Sequence, residues 1–115
     1  MRRFADAIAE ATASLDPATT AFIASSDFTH YGDRFGYTPF TGSLDGMREK
    51  VATHDRKYAG YIARHDYANA FADRDREEPS ICGINPALVL SRLMELRGLK
   101  GDTAGYYTSC DILGK

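Results

Sequence analysis

The chain has 115 residues, of which 43% are hydrophobic and 26% charged, the composition of a single soluble globular domain with a modest core. A formal charge of −2, a pI near 5.9 and cations interspersed with acids leave no basic footprint for nucleic acid or for an anionic membrane surface. Acids interrupt the apolar positions that follow Met1-Arg2-Arg3, and no apolar run reaches membrane-spanning length, so neither a signal peptide nor a membrane helix is expected and a cytoplasmic location is.

Phe4, Ile8, Ala11 and Leu15 recur at helical spacing and predict an amphipathic first helix, ended by Asp16-Pro17. Thr19 to Ser25 is β-branched and aromatic without polar alternation, which predicts a buried strand. From Ser26 to Gly46 the chain is rich in Gly, Ser, Thr, Asp and aromatics, and so long a connection points to a functional loop. A long helix is expected from Leu44–Met47 to about Arg64, with Val51, Tyr58, Tyr61 and Ile62 on its apolar side.

Asp66 is placed to cap a short helix ending near Phe71, and Asp73-Arg74-Asp75-Arg76-Glu77-Glu78-Pro79 reads as a solvated stretch. Asn85-Pro86 predicts a helix start with proline at the first helical position. The helix runs through Arg97, and Gly98 closes it in a left-handed cap. Thr103 to Ser109 reads as a second strand, with Cys110 to Leu113 at a turn beyond it. Two strands cannot form a sheet that covers three or four helices, so the inventory predicts part of a larger α/β domain.

Chemistry concentrates just past the first strand, where ligands of α/β sheets usually bind. There Asp27 and His30 lie three residues apart; His30 is a candidate acid/base group or ligand, or else a histidine that satisfies the loop's own hydrogen bonds. Asp27 reads equally as a turn or cap residue. Cys110 is either a thiol able to bind a soft metal or a packed, inert side chain. Cys82, before the proline-led helix, reads as structural, and His54 and His65 as exposed or half-exposed. Two cysteines in a reducing compartment are expected to be free thiols, and their spacing matches no zinc pattern. Phe28, Tyr31, Phe35, Tyr37 and Phe40 form either a pocket for a ring or peptide or a loop packed on its own side chains.

Three stretches in combination carry a resemblance: Ser25-Ser26-Asp27-Phe28 with His30 and Arg34-Phe35, Ile81-Cys82-Gly83 with Pro86, and Tyr106-Tyr107-Thr108-Ser109 before Cys110. With them the chain resembles the Memo-like family, relatives of the class III extradiol ring-cleaving dioxygenases. The resemblance implies an α/β fold, a three-layer αβα domain of which residues 1–115 would form a single partial unit, the carboxyl-terminal portion without the amino-terminal half. It also implies that Asp27 and His30 line the family's vestibule, His30 as the acid/base histidine, and that Cys110 stands where the dioxygenases place a metal-binding glutamate. His30 and Cys110 would then be metal ligands, iron or copper the cofactor, and the full-length protein a non-haem metal-dependent oxidoreductase. Family context implies a radical-SAM protein and an AMMECR-like protein as partners. The metal-ligand histidines of the amino-terminal half have no counterpart here, so a complete three-ligand site is not expected from this chain. A peptide- or small-ligand-binding module without metal chemistry is the alternative.

Overall fold

The computed structural model describes residues 1–113, and they form helices joined by irregular segments. In chain order these are α1 (Arg2–Ala11), α2 (Leu44–Arg64), α3 (Tyr67–Glu77), α4 (Ile84–Leu96) and the one-turn α5 (Ser109–Leu113), with a 3₁₀ turn at Asp33–Phe35. Helix accounts for 56% of the structure, and the one β feature among the described residues is an antiparallel bridge between Gly32 and Tyr37. The expected α/β, three-layer αβα architecture is therefore not what the chain forms.

The reason lies in pairing. Residues 20–28 belong to no helix or strand; from 21 to 28 exposed and half-buried residues alternate as in a strand, yet among the described residues no backbone group from 20 to 26 finds a backbone partner. A strand is defined by its neighbour about 4.8 Å away, not by its composition. Ile23, expected inside a sheet, is 90% exposed. The second expected strand, Thr103 to Ser109, also has no ladder, and Cys110 lies within α5 rather than at a strand's end.

The helices follow local rules more closely. Ser43 accepts the amide of Gly46 and caps α2, where its helix was expected to begin. Gly98 has φ 69°; its amide bonds the Glu95 carbonyl and that of Leu99 the Met94 carbonyl, the paired bonds of a Schellman ending. Three boundaries differ, and the first is that α1 stops at Ala11, short of the expected Leu15. α4 begins two residues earlier than expected, at Ile84 and capped by Gly83, and Pro86 occupies its third position, where the first-turn amides have no intrahelical partner and a missing N–H costs little. α3 runs on to Glu77 because the charged stretch is not simply solvated: Asp73 is buried, and Lys57 of α2 reaches both Asp73 (3.2 Å) and Glu77 (2.6 Å).

The core lies where α2, α3 and α4 meet. Tyr58, Tyr67, Ala70, Ile81, Ile84 and Leu88 are buried there, flanked by Phe28, Tyr61, Ile62 and Phe71. α1 packs on α4 but buries only Ala5, leaving Phe4 and Ile8 along an apolar groove of ≈ 420 Å³ with Phe22, Val89 and Leu93. The radius of gyration, 16.0 Å, exceeds the roughly 13 Å of a compact domain of this length, and the described residues are elongated, 51 × 29 × 22 Å. No helix among the described residues is long and apolar enough to cross a membrane.

Candidate functional site

Residues 26–30 lie beside residues 80–83 at the amino-terminal end of α4, and side chains join the two segments. Ser26 Oγ accepts the Gly83 amide at 3.0 Å and donates to the Asp27 carbonyl at 3.0 Å. Gly83 is required by this approach: a Cβ there would lie 2.3 Å from Ser26 Cβ and 2.8 Å from the Ser25 carbonyl oxygen. The Asp27 amide donates to Cys82 Sγ at 3.4 Å, so the exposed Cys82 borders the Asp27–His30 segment.

His30 is held on three sides by one residue. Its amide donates to Ser80 Oγ (2.9 Å), Ser80 Oγ donates to its carbonyl (2.8 Å), and its Nδ1 lies 2.8 Å from the Ser80 carbonyl oxygen. A carbonyl only accepts, so Nδ1 carries the proton and Nε2 keeps its lone pair. That nitrogen is 3.7 Å from Asp27 Oδ2, beyond hydrogen-bond length, and the Asp27 side chain is 86% exposed. Phe35 presents its ring at a steep angle to the imidazole, 5.1 Å between centroids. The result is a half-buried imidazole of fixed tautomer, able to take or give a proton at Nε2 or to donate one lone pair.

The other two histidines are committed elsewhere. His65 closes α2 with φ 60°, and its ring bonds Ser91 Oγ through Nδ1 and the Leu99 carbonyl through Nε2. His54, expected at the surface, is buried on α2: Nδ1 is 3.1 Å from Thr29 Oγ1, and Nε2 is 3.2 Å from Glu77 Oε2 without hydrogen-bond alignment. His54 and Asp55 fall three and four residues after Val51 and four and three before Tyr58, so helical periodicity puts them on the buried face. That spacing was the available signal for both. Asp55, missed in the sequence, accepts from Thr29 and Tyr106; burial raises its carboxyl, and contacts from His54, Thr29 and Tyr106 outweigh burial and hold it below its ordinary value.

Cys110 is half-buried in α5. The turn is fixed by Asp111, which accepts the amide and hydroxyl of Thr108 at 2.7 and 2.8 Å and pairs with Arg48. Among the described residues, no hydrogen bond or ion pair joins Cys110 to Asp27 or His30, and no three His, Cys, Asp or Glu side chains lie close enough to hold a metal. His30 and Cys110, the two ligands the resemblance implies, are not brought together with a third donor, and these residues do not by themselves fit an iron or copper ion. The aromatic loop packs largely on itself: Tyr31 stacks on Phe40 and bonds its carbonyl, and Phe35 is half exposed beside His30.

With this geometry established, comparison with known proteins gives the chain's relatives. A family model described as Memo-like protein matches residues 1–115. The chain is 32% identical over 109 residues to a MEMO1 family protein of Thermococcus onnurineus, covering 92% of this chain and 36% of that protein. It is 30% identical over 114 residues to one of Pyrococcus horikoshii, covering 96% and 38%. Over 76 residues it is 33% identical to the protein memo-1 homolog of Caenorhabditis elegans, covering 64% and 21%. The chain therefore spans little more than a third of the length of the first two relatives. No solved structure matches it significantly.

Proposed function

The chain belongs to the Memo-like family, and from that premise we propose that it contributes a proton-carrying histidine, His30, to a metal-dependent redox site. One observation carries this reading: of the three histidines, His30 alone has a ring nitrogen that is neither hydrogen-bonded nor set against a half-buried carboxylate, and the Ser80 carbonyl fixes which nitrogen that is. Asp27 Oδ2 stands 3.7 Å from Nε2, on a side chain open to solvent. Iron or copper belongs to the proposal as the cofactor of the whole protein, held mainly by residues beyond this chain. A radical-SAM protein and an AMMECR-like protein remain the proposed partners.

The test titrates Fe(II), and separately Cu(I), into a full-length family member and into its variant with glutamine at the histidine matching His30. The proposal requires near-stoichiometric metal on the unaltered protein and at least about tenfold weaker binding in the variant, the usual scale for disturbing the surroundings of a metal. Metal content indifferent to that histidine overturns it.

A second reading rests on the unpaired segment 20–26, whose alternating exposure and free backbone groups suit addition of one extended apolar peptide strand. Peptide binding that survives chelator and is lost in Ile23→Pro favours this reading. Binding abolished by chelator counts against it.

A further inference from the structure

A single buried carboxylate reaches two of the three stretches that carry the family likeness. Asp55, on α2, is 3% exposed. Its Oδ1 accepts from the Thr29 amide at 3.1 Å and from Thr29 Oγ1 at 2.5 Å. Its Oδ2 accepts from the Tyr106 hydroxyl at 2.8 Å. Thr29 immediately precedes His30, and Tyr106 lies four residues before Cys110.

We infer that Asp55 is a positioning residue, which fixes the His30 turn and the segment leading into the Cys110 helix in one arrangement through its two oxygens. Asp55 touches neither candidate group and acts through Thr29 and Tyr106. Rotation of the carboxylate is blocked because each oxygen is already engaged, so a displacement of Tyr106 is transmitted to Thr29 and the reverse. His54 completes the clamp: Thr29 gives its hydroxyl proton to Asp55, so the oxygen accepts from His54 Nδ1, whose ring backs onto Tyr58 in the core. Arg56 lies over the Tyr106 ring at 5.2 Å and holds the phenol from its outer side. The bonds to the carboxylate are charge-assisted, and two of the network's members, His54 and Asp55, are buried.

The inference rests on the reading of His30 as the working group, but its test is independent of any metal. His30 is observed by long-range ¹H–¹⁵N correlation of its ring, and Cys110 by its rate of thiol modification in a Cys82→Ser background. Tyr106→Phe removes only the bond to Oδ2, and Thr29→Val removes the hydroxyl while keeping the amide. The inference predicts that Tyr106→Phe, remote from His30 in sequence, shifts or broadens the His30 ring signals as well as raising Cys110 modification about tenfold. Thr29→Val is predicted to raise Cys110 modification in turn, and the double variant to fall short of the sum of the two. Asp55→Asn should move both readouts together; if it fails to fold, the two milder variants decide. Tyr106→Phe that changes Cys110 alone, with the His30 ring signals identical to wild type, overturns the inference. If the ring signals and thiol rate move while metal binding in the full-length protein ignores His30, the proposed function falls and the positioning role stands.

Discussion

Replacing Ser80 by alanine tests how firmly the His30 turn is held. The serine hydroxyl forms a reciprocal pair, accepting the His30 amide at 2.9 Å and donating to the His30 carbonyl at 2.8 Å, and alanine deletes both bonds while leaving the backbone carbonyl that receives Nδ1–H. Each such bond contributes roughly 0.5–1.5 kcal/mol net, and because both groups are only part-buried, water recovers some of the loss. The expected cost is about 1–2 kcal/mol, out of the roughly 5–15 kcal/mol that a domain of this size has. For 115 residues that corresponds to a fall in Tm of about 4–8 °C. The assay is urea unfolding followed by far-ultraviolet circular dichroism, with an exposed Ser14→Ala variant as control. The Ser80 variant should show a lower midpoint and an unchanged slope. A midpoint within about 0.3 kcal/mol of wild type, in a protein whose His30 ring signals are also unmoved, would refute the reasoning, because the hydroxyl would then not be anchoring the turn.

Other changes probe the core, the close approach at α4 and the ion network. Leu88→Ala empties a fully buried position and should cost about 2–5 kcal/mol in the same unfolding assay, and a loss under 1 kcal/mol would mean that α4 does not pack as described. Gly83→Ala drives a Cβ into Ser26 and the Ser25 carbonyl, so it should cost about 1–3 kcal/mol and alter the His30 ring signals, whereas a neutral result would contradict the contact between residues 25–27 and 83. Stability should also fall at both ends of the pH range. Burial raises Asp55 and Glu77, but Asp55's hydrogen-bonding contacts and Glu77's bonds from Lys57 and Arg76 hold both below their ordinary values, while Tyr61 and then Lys57 hold Asp73 low. Their stabilisation is therefore complete above the unfolded values of 3.8 and 4.5 and is lost as pH falls below them toward the folded values. The bond to Asp73 pushes Tyr61 up to about 12, and burial leads the upward shifts of Tyr58 and Tyr106, so their contribution is complete below pH 10.0 and fades as pH rises beyond it. Urea midpoints measured across pH should form a plateau with losses on both flanks, and a protein that gains stability on acidification below 4.5 contradicts the network.

Features written in local sequence were the ones legible in advance. Ser43 announces α2, Gly98 closes α4, and Val51 with Tyr58 marks a buried face; each depends on neighbours within a turn or two of helix. What escaped depends on distant residues. Thr19 to Ser25 has the composition of a strand, but a sheet is made by partners, and the described residues place no strand beside it. α3 outlasts Phe71 because Lys57, on another helix, offsets the acids of its last turns. The Asp27–His30 segment could be singled out from its residues alone, whereas its anchor, Ser80, lies 50 residues away, and nothing in the sequence joins that serine to His30. His54 and Asp55 were readable from periodicity and were passed over because polar residues on a charged helix read as solvated.

The most direct test of the central claim is the tautomer of His30. In a uniformly ¹⁵N-labelled sample at about pH 8.5, above the ordinary histidine range, long-range ¹H–¹⁵N correlation distinguishes a protonated from a bare ring nitrogen. The structure predicts that His30 carries its proton on Nδ1, facing the Ser80 carbonyl, with Nε2 bare and open to a proton or a ligand. A His30 ring protonated on Nε2 would contradict the account, since the nitrogen assigned to the chemistry would then be a fixed donor and the anchor to Ser80 would not exist.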